Sequence, residues 1–286
     1  MTTKNMEHLK EVYDQLYGPT FNMKLTKGTS STGFRTTTVH NTQKLVEFYE
    51  KNGKTNNIYI SFYNYNNQSI DHDKLVSNDK FYGEYAIFDR ILIRVKNKLD
   101  FIIDELDEVL NFIHIRQLIH EKFIENLIKD TLTVQKTIEE IFHIKPVIFY
   151  TGLNECLIFI LFDEIKLDNP YLTLNYIYKL IENNSKVTTI NYENMDPLTQ
   201  NIRLPHSKNI TSRLYAHELK ENEDYTETIN KMKSPNITDY TIPKQDSTRI
   251  IEIIKYIDQN ADKKLRIARI NKFIDSLNEK NNEKNE

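Results

Sequence analysis

The chain has no tryptophan, one cysteine, six glycines and four alanines in 286 residues. A single thiol, Cys156, excludes an internal disulfide and a cysteine-built metal cage, and makes a reducing compartment the expected setting. No apolar run approaches the ~18 residues that a membrane-spanning helix needs. The longest, Cys156 to Phe162, has the length of a strand. The opening MTTKNMEHLKEVYDQL has no apolar core, so no secretion signal is expected and the location is read as cytoplasmic, with no membrane partner. An excess of one charge is also missing. With 38 Lys+Arg against 41 Asp+Glu, the formal net charge of -3 excludes a uniformly basic coat or an acidic tail, while permitting a local basic patch.

What is present fits a globular chain: 39% hydrophobic and 28% charged residues. The length suits one large domain, or one domain with a small appendage. Isoleucine (36), asparagine (31) and lysine (29) dominate, a profile of AT-rich codons. Frequent surface lysine is therefore no functional signal by itself, and many asparagines belong in caps and turns.

The first 40 or so residues are polar, and KGTSSTGFRTTTVH suits a loop or an edge strand. Asn41 to Asn52 reads as a short helix and Asn56 to Tyr63 as a strand. Tyr85 to Lys96 alternates Ile91, Ile93 and Val95 against Arg90, Leu92, Arg94 and Lys96, a strand with basic residues on one face. Helical patterns follow from Leu99 to about Lys129 and from Thr133 to Phe142. Two apolar strands, Pro146 to Tyr150 and Cys156 to Phe162, flank a hairpin-sized turn. A helix over Tyr171 to Glu182 and a strand over Lys186 to Tyr192 complete the pattern. The expected fold class is α/β (α+β), a mixed sheet backed by helices over residues 1–220. Residues 221–247 read as a linker, and 248–286 as a small C-terminal helical appendage with basic residues on its second helix.

Three segments carry a resemblance. The first is Asp89-Arg90-Ile91-Leu92-Ile93-Arg94-Val95-Lys96-Asn97. The second is Phe149-Tyr150-Thr151-Gly152-Leu153-Asn154-Glu155-Cys156-Leu157-Ile158-Phe159. The third is Asn201-Ile202-Arg203-Leu204-Pro205-His206-Ser207-Lys208-Asn209. Their order and spacing, over roughly Phe34 to Glu218, resemble the archaeo-eukaryotic primase superfamily of small primase subunits and plasmid primase-polymerases. In that family the first element carries two alternating metal-binding aspartates. The second carries Ser/Thr-Gly before a histidine that contacts the nucleotide triphosphate, and the third is an Arg-x-Pro-x-Ser-x-Asn element following a third acid.

This chain departs from the pattern where the chemistry would lie. The two aspartate positions hold Arg94 and Lys96, and the histidine position holds Leu157. The third acidic position is Asn191, or is displaced to Glu193 or Asp196. Two-metal nucleotidyl transfer needs anionic oxygens around the cations, whereas arginine and lysine only donate and repel a cation at close range. The resemblance thus implies a degenerate, non-catalytic member with no catalytic residue, metal or cofactor of its own. It would be an accessory subunit that binds nucleic acid or nucleotide phosphates and supports primer synthesis by a catalytic partner. Its partners would be single-stranded DNA or a primer-template, and catalytic and large primase subunits or other replication proteins. The phosphate-binding set is Arg90, Arg94, Lys96, Arg203, His206 and Lys208, with Thr151, Gly152, Asn154, Ser207 and Asn209 as a remnant of the nucleotide site. The plainer account of the basic residues is ion pairing, for instance with Asp104, Glu105, Asp107 and Glu108.

Two other functions compete. One is an active primase-polymerase using Mg²⁺ or Mn²⁺ with displaced acids drawn from Asp71, Asp73, Asp89 or Asp196. Taking Asp89 as the first acid would put Ile91 at the second. The other is a protein-binding factor of a mobile element that kept only the fold. Weaker candidates have plainer explanations. Asp71-His72-Asp73 sits in a loop-like polar stretch, His114 and His120 fall on different helical faces, and Asp163-Glu164 ends a strand. Tyr59, Tyr63 and Tyr65 share a strand face that stacks on bases or packs in the core, and Cys156 reads as a buried thiol. KGTSSTG lacks the Gly-Lys-Ser/Thr ending of a phosphate loop.

Overall fold

The computed structural model describes residues 3–18, 20–29, 33–62, 87–96, 113–152, 154–191, 201–210, 212–220, 223–234, 242 and 245–283. Helix α1 (Thr3–Tyr17) leads into strands β1 (Thr20–Thr29) and β2 (Gly33–Asn41), helix α2 (Thr42–Asn52) and β3 (Asn57–Ser61). Next come β4 (Phe88–Lys96), the long helix α3 (Ile113–Phe142), the hairpin β5 (Val147–Tyr150) and β6 (Glu155–Ile165), and α4 (Pro170–Ser185). Short strands β7 (Asn201–Arg203) and β8 (His217–Glu218) precede helices α5 (Tyr225–Met232), α6 (Thr248–Asn260) and α7 (Ile267–Glu283).

The α/β class is as expected, but the described strands form two sheets instead of one. Their orders are β2-β1-β3-β7 and β4-β6-β5-β8, with antiparallel pairing throughout both. Strand β3 pairs with β1 and β7, and its successor β4 pairs with β6. Composition marks a segment as a strand without naming its partner, so the division into two sheets has no signature in the sequence.

The first sheet buries one face. Met23, Leu25, Ile58, Ile60 and Ile202 join the core with Leu9, Val12, Tyr13 and Leu16 of α1. Those four α1 positions have the i, i+3, i+4, i+7 spacing of one helical face, a pattern diluted by the polar residues around it. Asn41 starts α2 by accepting a hydrogen bond from the Lys44 amide at 2.9 Å. The second sheet is buried on both sides, with Cys156 to Ile160 all at most 1% exposed. Phe62 against Phe159 (5.8 Å) and Phe149 against His206 (5.5 Å) join the two sheets.

The C-terminal helices share this core: Ile250, Ile253, Ile254 and Ile257 are fully buried. The Asp258 carboxylate accepts from the amides of Asp168 (2.9 Å) and Asn169 (2.8 Å) and from the Thr173 hydroxyl (2.9 Å). It thereby caps α4, whose own N-cap, Asn169, makes no side-chain bond. Within 221–247, expected as a linker, the described residues include α5 and make contacts with the rest of the fold. Glu223 is buried between His217 (3.2 Å) and Lys231 (2.7 Å), and Gln245 donates to the Lys145 carbonyl at 2.8 Å. Among the described residues, no helix is long and apolar enough to cross a membrane.

Asp258→Ala strands two amides and a hydroxyl at a buried helix end. It is expected to lower the unfolding free energy by about 2–4 kcal/mol, seen as a lower urea midpoint at unchanged slope. A loss below about 1 kcal/mol would mean that this cap is not a structural tie.

Candidate nucleic-acid interface

The β5–β6 turn sets the register of the site. The Thr151 amide and hydroxyl both donate to the Glu155 carbonyl, at 3.0 and 2.9 Å, closing the hairpin. Gly152 takes φ +87°, and a Cβ there would sit 3.3 Å from both Leu214 Cβ and Met232 Cε. Glycine suits this left-handed backbone, and a side chain there would have to displace Leu214 and Met232 slightly. The pairing of β4 with β6 then places Lys96 opposite Glu155 and Arg94 opposite Leu157.

Arg94 reaches from the second sheet to the first. One terminal nitrogen meets Glu155 Oε1 at 3.2 Å and the other donates to the Asn201 carbonyl at 2.8 Å. Its Nε is buried and has no hydrogen-bond partner among the described residues. Across the gap, Arg203 donates to Asn57 Oδ1 (3.1 Å), the Lys208 carbonyl (3.2 Å) and the Tyr59 hydroxyl (3.2 Å), with its guanidinium 5.1 Å from the Tyr59 ring centre. Lys208 is half-buried, its ammonium 5.7 Å from the Tyr215 ring centre.

One carboxylate therefore stands among three cations. Burial pushes the Glu155 pKa up, opposed by Arg94, Lys96 and Arg203. Burial pushes Arg203 down, opposed by Tyr59 and Glu155. Among the described residues the junction carries more positive than negative charge, inside a chain of near-neutral total charge. Divalent cations, implied by the primase resemblance, do not fit this stretch of β4. Arg94 and Lys96 offer no lone pair to a metal, and Glu155 is already engaged by Arg94.

The other sequence candidates fall into distinct places. Arg90 shares the face of Arg94 but is only 3% exposed. It donates to both Asp89 oxygens (2.5 and 2.6 Å) and to the Leu16 carbonyl (2.9 Å), over the Tyr17 ring. It fastens β4 to α1 and does not join the Arg94 cluster. His206 is buried, and burial pushes its pKa down to about 3, so it is neutral near pH 7 and supplies no charge to a phosphate. Ser207 and Asn209 are buried in the turn after β7, where Asn209 Oδ1 accepts from the Ser212 amide at 3.2 Å. Asn154 is half-buried beside Glu155. The Asn191 amide donates to the Arg94 carbonyl at 2.8 Å, which brings position 191 against β4.

Cys156 is fully buried and its thiol is pushed up to about 12. Asp163 and Glu164 are exposed on the last residues of β6. Asp71, His72, Asp73, Tyr63, Tyr65, Glu193, Asp196 and the acidic run from Asp104 lie outside the described residues, as do the side chains of His114 and His120. Glu155 is the member of the site that sequence reasoning passes over. Its signal is a lone carboxylate just past the Gly152 turn, and only the strand register turns that into a partner for Arg94.

No protein-family model matches the chain, and no curated protein matches it. Among solved structures it is similar to the polymerase domain of Mycobacterium tuberculosis ligase D in complex with DNA. That match has 8% identity over 91% of this chain and 89% of the other, with a TM-score of 0.43. A likeness of that degree assigns neither family nor chemistry to this chain.

The neutral, buried His206 yields a pH prediction. Its folded pKa of about 3 lies below the ordinary 6.5, so the unfolded chain takes up the proton first. The stability it contributes is complete above pH 6.5 and is lost as pH falls toward 3. His217, also held low by burial, adds to the same slope. His206→Asn keeps a residue suited to the local φ of +60° and removes the titration. Urea midpoints measured between pH 6.5 and 3 should then fall less steeply than in the wild type.

Proposed function

We propose that this chain binds single-stranded DNA by its phosphates at the junction of the two sheets. It would act as a primase-like accessory subunit in DNA replication, without metal-dependent chemistry of its own. One observation carries the reading. The β4 positions where the motif resemblance calls for metal-binding aspartates hold Arg94 and Lys96, Arg94 pairs with Glu155, and the charge of Arg203 on the facing sheet acts on the same carboxylate. A strand face built to hold cations has become one that attracts anions.

The work of such a subunit is positioning. Holding template or primer phosphates raises their local concentration beside a catalytic partner and makes no bond itself. Arg94 and Lys96 are the primary phosphate ligands, with Lys208 on the turn after β7 as a further one. Arg203, already committed to Asn57, Tyr59 and Lys208, sets the local potential and holds the turn.

Two measurements test this. Binding of a thymidine oligonucleotide should weaken steeply with salt. Lys96→Ala combined with Lys208→Ala should reduce the slope of log affinity against log salt by about 0.7 for each phosphate no longer neutralised. The purified protein alone, given single-stranded DNA, nucleotides and Mg²⁺ or Mn²⁺, should make no primer. Synthesis that disappears on Asp71→Ala, Asp73→Ala, Asp89→Ala or Asp196→Ala would overturn the accessory role and establish an enzyme with displaced acids. Absence of salt-sensitive binding would instead leave a protein-binding role.

A further inference from the structure

The first sheet presents its second face differently from the face that packs in the core. By register, Phe34 and Thr36 of β2, Thr26 and Gly28 of β1, Tyr59 of β3 and Arg203 of β7 share it. Phe34 is 58% exposed, the most exposed large apolar side chain among the described residues. A single exposed apolar residue is ordinary, so exposure alone identifies nothing. Three further observations distinguish this ring.

First, the ring is seated. It stands edge-on to Tyr59 with centroids 6.2 Å apart at 69°, and it lies against Gly28, where a Cβ would come within 2.9 Å of Phe34 Cδ1. A side chain at Gly28 would meet the Gly33 carbonyl first, at 2.1 Å, and the Phe34 ring with it. Second, Tyr59 is itself fixed by Arg203, which lies over its ring and donates to its hydroxyl. Third, the row leads to the phosphate site, because Arg203 acts on the same Glu155 that Arg94 holds. Among the described residues of the row, Thr26 and Thr36 add hydroxyls, 3.2 Å apart and bonded to each other. An apolar protein surface finds one ring among polar groups there. An unpaired base needs only that ring, and its phosphates find the cations.

We infer that Phe34 is a stacking platform for an unpaired DNA base whose strand runs across the sheet face toward Arg94 and Lys96. The inference rests on the DNA-binding reading above and adds a base contact to it. The occupant is DNA because the reading above is of a single-stranded DNA binder, and the RNA arm below tests that choice.

The chain's lack of tryptophan supplies the probe, since Phe34→Trp introduces a single indole. Two ligands of equal length are compared, a thymidine oligonucleotide and its abasic counterpart with the same phosphates. Phe34→Trp should bind the thymidine strand as the wild type does, with its fluorescence quenched by that strand and not by the abasic one. Phe34→Ala should weaken thymidine binding about tenfold and leave abasic binding within about twofold. Unchanged thymidine binding by Phe34→Ala, or an unquenched indole at saturation, overturns the stacking role. Salt-sensitive binding of the abasic strand would then still uphold the phosphate site. Failure of the wild type to bind either ligand at low salt overturns both. A changed oligomeric state in Phe34→Ala with unchanged thymidine binding makes the ring a protein-binding group, which also overturns the proposal. So does uridine RNA binding that depends on Phe34 when DNA binding does not.

Discussion

Among the described residues no named strand of one sheet pairs with a strand of the other, and the two are joined by the backbone-bonded turn between β7 and β8 and by side chains, several of them arginine and tyrosine, that hold β4 and that turn in place. Arg94 crosses from β4 to the Asn201 carbonyl, Arg90 ties β4 to the Leu16 carbonyl of α1, and Tyr13 of α1 and Tyr49 of α2 hold the carbonyls of Pro205 and His206 in the turn after β7. A guanidinium taken out of water is tolerated only where its donors are met. Arg90 and Arg203 satisfy this with carboxylate, carbonyl and amide oxygens. The positions of β7 and of the turn after it depend on these crossings.

This explains why the basic residues divide. A cation that ties backbone to backbone is part of the scaffold, and moving it to meet a ligand would undo the tie. Arg90 and Arg203 are of that kind. Arg94 is intermediate, since its partners are one carbonyl and one carboxylate whose own pKa burial raises. Within the proposed function, an arriving phosphate competes with Glu155 for Arg94 and finds Lys96 beside it. In that function the scaffold cations would set the field and the rim cations would hold the ligand.

Much of the fold is legible where chemistry and period agree. Runs such as CLIFILF and the alternation through Arg90 to Lys96 mark strands that the structure contains. Cys156 reads as buried and is buried. What is not legible depends on partners distant in sequence. Helix α1 is hidden by polar residues around a four-residue apolar face. The span 221–247 looks like a linker because α5 is short and its anchor is the buried Glu223, an acid that composition counts as surface. Arg90 and Arg94 share strand parity and differ only in what lies opposite, α1 for one and β7 for the other. His206 sits in a polar-looking string, yet its left-handed backbone and the Phe149 ring accompany a buried imidazole.

The buried thiol has a practical consequence. With its pKa pushed up to about 12 by burial, Cys156 stays a thiol at neutral pH. Strand neighbours also close it off from bulk reagents. To a maleimide or a spin-label reagent the folded chain is therefore nearly blank. A cysteine introduced anywhere on its surface becomes a unique attachment point, with the native residue left in place and the core undisturbed.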